Sequence, residues 1–139
     1  MPKSQQSAYF NKTKEDHQSE LVEDYVEEIA DLFQTHGEVR SADLAARFGV
    51  SAAAVSKFIT RLKKEGLVES MPYRGVFLTD KGRELAEKVA HRHNVVFETL
   101  IALGVPEANA RADAEGIEHH CSQETVIAME AFLSAQKSN

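Results

Sequence analysis

At 139 residues, with 42% hydrophobic content and seven phenylalanines, the chain suits one ordinary domain or two small ones that share an interface. Its lone Cys121 excludes a disulfide within the chain and a thiolate zinc site, and no apolar run approaches the ~18 residues of a membrane span. The amino terminus, Met1 to Ser7, lacks the apolar stretch of a secretory signal, so a cytoplasmic protein is expected; the net charge of -6 is at first sight unlike that of a DNA-binding protein.

Residues 1–18 mix Ser, Gln, Lys and Asp without an apolar period and are expected to form a mobile tail. From Glu20 onward Leu21, Tyr25, Ile29, Leu32 and Phe33 recur at helical spacing, and His36-Gly37 ends that helix. Ser41 is expected to cap a short helix, Ala42 to Phe48, closed by Gly49. Ser51 caps the next, with Val55, Phe58, Ile59 and Leu62 on its inner face and an end at Glu65-Gly66. Two helices around the Gly49-Val50-Ser51 turn make a helix-turn-helix. Two β-prone runs, residues 67–71 and 76–79, flank Pro72-Tyr73-Arg74-Gly75 and predict a hairpin, the wing of a winged helix. Thr79 then caps a long helix with Leu85, Val89, Val96 and Leu100 on one stripe, stopping near Gly104. Pro106 opens a helix expected to run through Glu115 to His120, and a last one from about Ser122 carries Val126, Met129, Phe132 and Leu133.

The expected fold class is therefore mainly α: an N-terminal winged helix-turn-helix with a short β-hairpin wing over residues 19–79, then a linker helix and an α-helical dimerisation domain over residues 80–139. The second part is too short to close its own core, and the same helices of a second subunit would complete it.

Charge is distributed unevenly along this plan. Residues 37–93 hold 11 Lys and Arg against 7 Asp and Glu, whereas residues 1–36 hold 3 against 8 and residues 94–139 hold 2 against 7. A basic middle between acidic flanks assigns the middle to phosphate contact and the flanks to cation capture. On the presumed recognition helix Ser51, Ala52, Ala53, Ser56, Lys57, Thr60 and Arg61 face outward. Small residues at its start let the backbone approach the major groove, Ser56 and Thr60 can bond phosphate or base edges, and Lys57 and Arg61 bring charge. Arg74 at the wing tip is placed for the backbone or the minor groove.

The flanks carry metal-ligand chemistry. Asp24 and Glu27 stand three apart, and Glu115, Glu118 and His119 stand at i, i+3 and i+4, so each set shares a helix face. Taken singly, each has an ordinary alternative: acidic faces are usually solvated, and a histidine such as His93 on an apolar stripe is usually a hydrogen-bonded core residue. Taken together, a stripe histidine needs a partner and a carboxylate cluster needs a counter-charge, and divalent ions answer both. Four carboxylates and two imidazoles form a hard set that suits a manganese-type ion better than a thiolate-seeking one.

Asp24-Tyr25-Val26-Glu27, the Tyr73-to-Thr79 wing, His93 and Asp113-Ala114-Glu115-Gly116-Ile117-Glu118-His119-His120 together resemble the diphtheria toxin repressor (iron-dependent repressor) family of metalloregulators, in its manganese-responsive form. The likeness covers roughly residues 20 to 135. It implies a homodimer that binds palindromic operator DNA when each subunit holds a pair of Mn2+ ions between its two domains, controlling metal-transport genes. It further implies that Asp24, Glu27, His93, Glu115, Glu118 and His119 are the ligands. Glu27 and Glu118 would serve both ions, His93 with Asp24 one, and Glu115 with His119 the other. Iron-sensing relatives place sulfur ligands where Asp24 and Glu115 stand. Their ancillary site uses a glutamate and a histidine where this chain has Phe97 and Arg111, and their C-terminal SH3-like domain has no counterpart in this sequence. Manganese is thus expected over iron, although Fe2+ and other divalent ions are expected to bind in vitro. Cys121 is expected to be a small buried apolar residue rather than a ligand.

Three alternatives stand beside this reading: an iron-responsive repressor of the same family, a metal-independent winged-helix regulator, and a dinuclear metalloenzyme. Di-iron bundles use Glu-x-x-His pairs, whereas Glu118 follows Glu115 and Cys121 follows Glu118 at that spacing. With no nucleophile and no Gly-rich cradle in view either, the chain is expected not to be an enzyme. Its expected partners are double-stranded DNA and a second copy of itself, with no membrane and no small organic ligand.

Overall fold

The computed structural model describes the backbone of residues 3–138 and the side chains from residue 18 to residue 138. In chain order the elements are α1 (Lys3–His36), α2 (Ser41–Phe48), α3 (Ala52–Lys64), β1 (Val68–Met71), β2 (Gly75–Leu78), α4 (Asp80–Ala102), α5 (Glu107–Ile117), a 3₁₀ turn (Glu118–His120) and α6 (Gln123–Ser138). None of these helices is long and apolar enough to cross a membrane. The chain divides into two compact units, residues 21–87, and residues 88–139 with the chain up to residue 20.

Helix α1 starts at Lys3, well ahead of Glu20. The segment read as a mobile tail therefore has helical backbone from residue 3; its first two residues, and its side chains up to residue 17, lie outside the described residues. Between Lys3 and His36 the chain contains no Gly or Pro, and Gln, Lys, Glu and Ala are good helix formers. Extending an established helix costs little per residue, so an apolar period is not required for it to continue.

In residues 21–87 a single core gathers Val26, Ile29, Leu44, Val55, Leu62 and Val76 from helices and wing alike. Tyr25 lies stacked on Phe48 at 4.5 Å and against Phe58 at 4.4 Å between centroids. Burial disfavours its ionised form and raises the phenol above its ordinary value.

Caps set the helix ends. Ser51 accepts the Ala54 N–H at 3.1 Å and starts α3, as its sequence position predicts. Helix α2 differs: Arg40 rather than Ser41 is the capping position, and the Asp43 carboxylate reaches back to the Arg40 N–H at 2.9 Å. A carboxylate three residues into the helix stabilises that end without a hydroxyl at the cap. Thr79 caps α4, accepting the Gly82 N–H at 3.1 Å while its hydroxyl donates to the Gly66 carbonyl at 2.6 Å.

The wing is an antiparallel pair with Val68 opposite Leu78 and Met71 opposite Gly75. Its root is fastened to the loop before α2, because the Val76 N–H donates to the Val39 carbonyl at 2.8 Å. Gly75, at φ 85°, lies so close to that carbonyl that a Cβ there would collide with it.

In the other unit Val89, Val95 and Val96 of α4, Ala110 and Ala114 of α5 and Val126 of α6 are buried. Ile101, Leu103, Ile117 and Ile127 are exposed. Helix α5 stops at Ile117 instead of running to His120 as expected, and Glu118–His120 tighten into the 3₁₀ turn. A helix end often tightens in this way, shortening the hydrogen-bond step to satisfy its last carbonyls.

Candidate metal centre and nucleic-acid face

Three of the six expected ligands converge within residues 88–139. His93 from α4, Glu115 from α5 and Glu118 from the 3₁₀ turn place one ligand atom each within 4.8 Å of one another. His93 Nδ1 is 3.5 Å from Glu115 Oε1 and 3.7 Å from Glu118 Oε1. His119, with its side chain 2% exposed, sets Nε2 3.5 Å from the same Glu118 oxygen. One carboxylate oxygen thus stands between two imidazole nitrogens, at separations longer than ordinary hydrogen bonds.

Burial differs sharply across the set. The Glu118 side chain is fully buried, that of Glu115 is 54% exposed and that of His93 is 22% exposed. The i, i+3 spacing brings Glu115 and Glu118 to one cluster, but the end of α5 at Ile117 gives them very different access to solvent. Asp24 and Glu27 lie in the other unit on α1, where both are half-buried. The donor atoms fit a hard divalent ion: carboxylate oxygen and imidazole nitrogen, with a fully buried carboxylate whose charge calls for positive compensation.

Some contacts in the same unit escaped the reading of the sequence. His120 Nε2 lies 3.5 Å from Glu20 Oε2, and His91 Nε2 lies 3.0 Å from Glu130 Oε1. No local spacing marks pairs separated by 39 or more positions. Phe97 and Arg111 face each other, with the guanidinium 4.7 Å from the ring centroid and bonded to Glu107 at 2.9 Å. A cation on an aromatic face thus fills those two positions. Cys121 is a free thiol, half-buried rather than fully buried.

In residues 21–87, Ser51, Ala52, Ala53, Ser56, Lys57 and Thr60 are all exposed on α3, and Arg74 is exposed in the wing. Thr60 is committed locally, its hydroxyl donating to the Ser56 carbonyl at 3.0 Å. Arg61 is less outward than expected. It is half-buried, with Nε 3.3 Å from Glu65 Oε1 and its guanidinium 5.6 Å from the Phe58 ring centre.

Comparison with known proteins accounts for both halves. Residues 17–76 match the family model described as the iron dependent repressor N-terminal DNA binding domain. Residues 79–139 match the iron dependent repressor metal binding and dimerisation domain. The chain is 49% identical over 123 residues to the transcriptional regulator MntR of Escherichia coli O6:H1 (strain CFT073), covering 88% of this chain and 79% of that one. It is 34% identical to the HTH-type transcriptional regulator MntR of Geobacillus kaustophilus (strain HTA426), covering 85% and 94%. Among solved structures, the manganese regulator SloR superposes with TM-score 0.70 at 30% identity, over 81% of this chain and 53% of that one. A manganese-dependent transcriptional repressor in complex with manganese does so with TM-score 0.68 at 31% identity, over 81% and 52%. This chain spans about half the length of those solved structures. It belongs to the iron-dependent repressor family, whose members pair a DNA-binding domain with a metal-binding and dimerisation domain.

Proposed function

We propose that this chain is a manganese-dependent transcriptional repressor that binds palindromic operator DNA as a homodimer when Mn2+ is bound, and controls metal-transport genes. Residues 19–79 form the DNA-contacting module and residues 80–139 the module for metal and dimerisation. The observation that carries the reading is the convergence of His93, Glu115 and Glu118 on one point, with Glu118 fully buried. Its membership of a metal-binding repressor family and its likeness to solved structures named as manganese regulators support it further.

Two ions per subunit are proposed, held by Asp24, Glu27, His93, Glu115, Glu118 and His119. Bound ions supply the positive charge that lets several carboxylates approach one another. Glu118, with its Oε1 facing both imidazoles, and Glu27 are assigned to serve both ions. Asp24 and Glu115 present oxygen rather than sulfur, which favours manganese over softer ions. Ser51, Ala52, Ala53, Ser56, Lys57, Thr60, Arg61 and Arg74 form the DNA face. Two recognition helices of a dimer must lie about 34–36 Å apart to read successive major grooves.

Duplex binding measured by gel shift, with micromolar Mn2+ and with EDTA, tests this directly. Affinity is expected to rise with Mn2+ and fall with chelator. Equal binding in the two conditions would leave a metal-independent regulator as the better reading, and no binding in either would remove DNA as the partner.

A further inference from the structure

The position of Tyr73 at the wing tip is unusual on two independent counts. Its side chain is 94% exposed. Its backbone sits at φ 67°, and among the described residues it is the one non-glycine residue at positive φ. The Arg74 N–H donates to the Met71 carbonyl at 3.1 Å, closing a four-residue turn with Pro72 second and Tyr73 third. Proline suits the second place, but positive φ in the third place is the natural position of glycine or asparagine. A tyrosine there bears backbone strain, and at 94% exposure packing offsets none of it. The fold would be served as well by a smaller residue.

The tip is also held in place. Met71 pairs with Gly75, Val76 is bonded to Val39, and Gly75 is pressed on the same Val39 carbonyl. The Arg40 guanidinium lies 3.5 Å from the Tyr73 carbonyl oxygen. Tyr73 therefore stands on a fastened root beside the Arg40 guanidinium, which is also paired with Glu38 at 2.9 Å, and precedes the exposed Arg74, in the unit that carries the exposed start of α3. A phenol adds a hydroxyl donor and a flat apolar ring to that tip. Phosphate oxygens accept from tyrosine hydroxyls in protein–DNA contacts, and such contacts fix register without reading sequence.

From this we infer that Tyr73 is a DNA-positioning residue. Its hydroxyl donates to a backbone phosphate beside the groove entered by α3, and its ring packs on the adjoining deoxyribose. The inference rests on the DNA-binding function proposed above.

The test uses full-length protein, saturating Mn2+ and a mixed-sequence duplex of about 30 base pairs, read by fluorescence anisotropy at low salt, where sequence-independent binding is measurable. Tyr73→Asn keeps a residue that tolerates positive φ and removes both ring and hydroxyl. Its melting temperature is expected to match or exceed that of the wild type, with affinity lowered roughly fivefold to tenfold. Tyr73→Phe keeps the ring, and about half of that loss in logarithmic terms is expected. Wild-type affinity in Tyr73→Asn would overturn the contact altogether, and wild-type affinity in Tyr73→Phe would overturn the hydrogen bond to phosphate. Wild-type protein with and without EDTA is the accompanying control: its indifference to chelator would sink the metal-gated function, while the Tyr73 comparison is read within either condition. Failure of the wild type to bind the duplex at all would overturn both.

Discussion

Glu118 is the residue on which most of the proposed chemistry turns. A fully buried carboxylate is costly unless positive charge or hydrogen bonds meet it. Here Oε1 faces His93 Nδ1 and His119 Nε2 at 3.7 and 3.5 Å. Near-isosteric Glu118→Gln should consequently reduce Mn2+ uptake more than Asp24→Asn. A carboxylate that serves both ions also screens them from one another, whereas a terminal ligand serves one. Equilibrium metal counting on the two variants checks this, and equal stoichiometry in both would remove the bridging role. Tyr25 adds a sign to the pH response. Its folded-state phenol is raised above its ordinary value of 10.0 by burial, so it favours folding below that value and loses this contribution as pH rises through the folded pKa.

At the scale of elements, α3 carries a testable asymmetry. Lys57 is exposed, but Arg61 is half-buried and paired with Glu65 at 3.3 Å. Lys57→Ala should weaken binding to mixed-sequence DNA and lower the salt slope by about one, as expected for a lost phosphate contact. Glu65→Ala should do the reverse and strengthen binding roughly twofold to fivefold, because an exposed i, i+4 pair is worth little and its removal releases a guanidinium toward the phosphates. Salt-dependent anisotropy on both variants is the measurement; unchanged affinity in both would place the DNA surface elsewhere. Periodicity and turn chemistry made most of these elements legible: the Ser51 and Thr79 caps, the Gly49 turn and the wing all lie where the sequence puts them. What escaped follows from effects that periodicity does not encode. The helical backbone from Lys3 needs no apolar stripe, the α2 cap is set by Asp43 from inside the helix, and the 3₁₀ turn at Glu118 is a tightening of a helix end. The site was legible in the same uneven way. Spacing put Glu115 and Glu118 on one helix face, and the family resemblance joined His93 to them, but neither the burial of Glu118 nor the positive φ of Tyr73 can be read from side-chain types in order.

For the whole molecule, the uneven charge ties metal to stability. The acidic segments, residues 1–36 and 94–139, are each five charges negative, while residues 37–93 are four positive. Folding that brings Glu115 and Glu118 to one cluster is opposed by their mutual repulsion, and an ion that binds only the folded chain relieves it. Linkage sets the size of the effect: about 2.7 kcal/mol at a free ion concentration one hundred times the dissociation constant. For a chain of this length that corresponds to a rise in melting temperature of several degrees, on the order of 5–15 °C. Scanning calorimetry across a Mn2+ series should show a midpoint that climbs with the logarithm of free ion and falls back on adding EDTA. Magnesium at the same concentration should do much less, since it dehydrates reluctantly and imidazole nitrogens suit it poorly. Glu118→Gln should lose most of the Mn2+-dependent rise while keeping a cooperative transition of its own. A wild-type midpoint indifferent to Mn2+, or a rise retained in full by Glu118→Gln, would detach the buried carboxylate from metal binding.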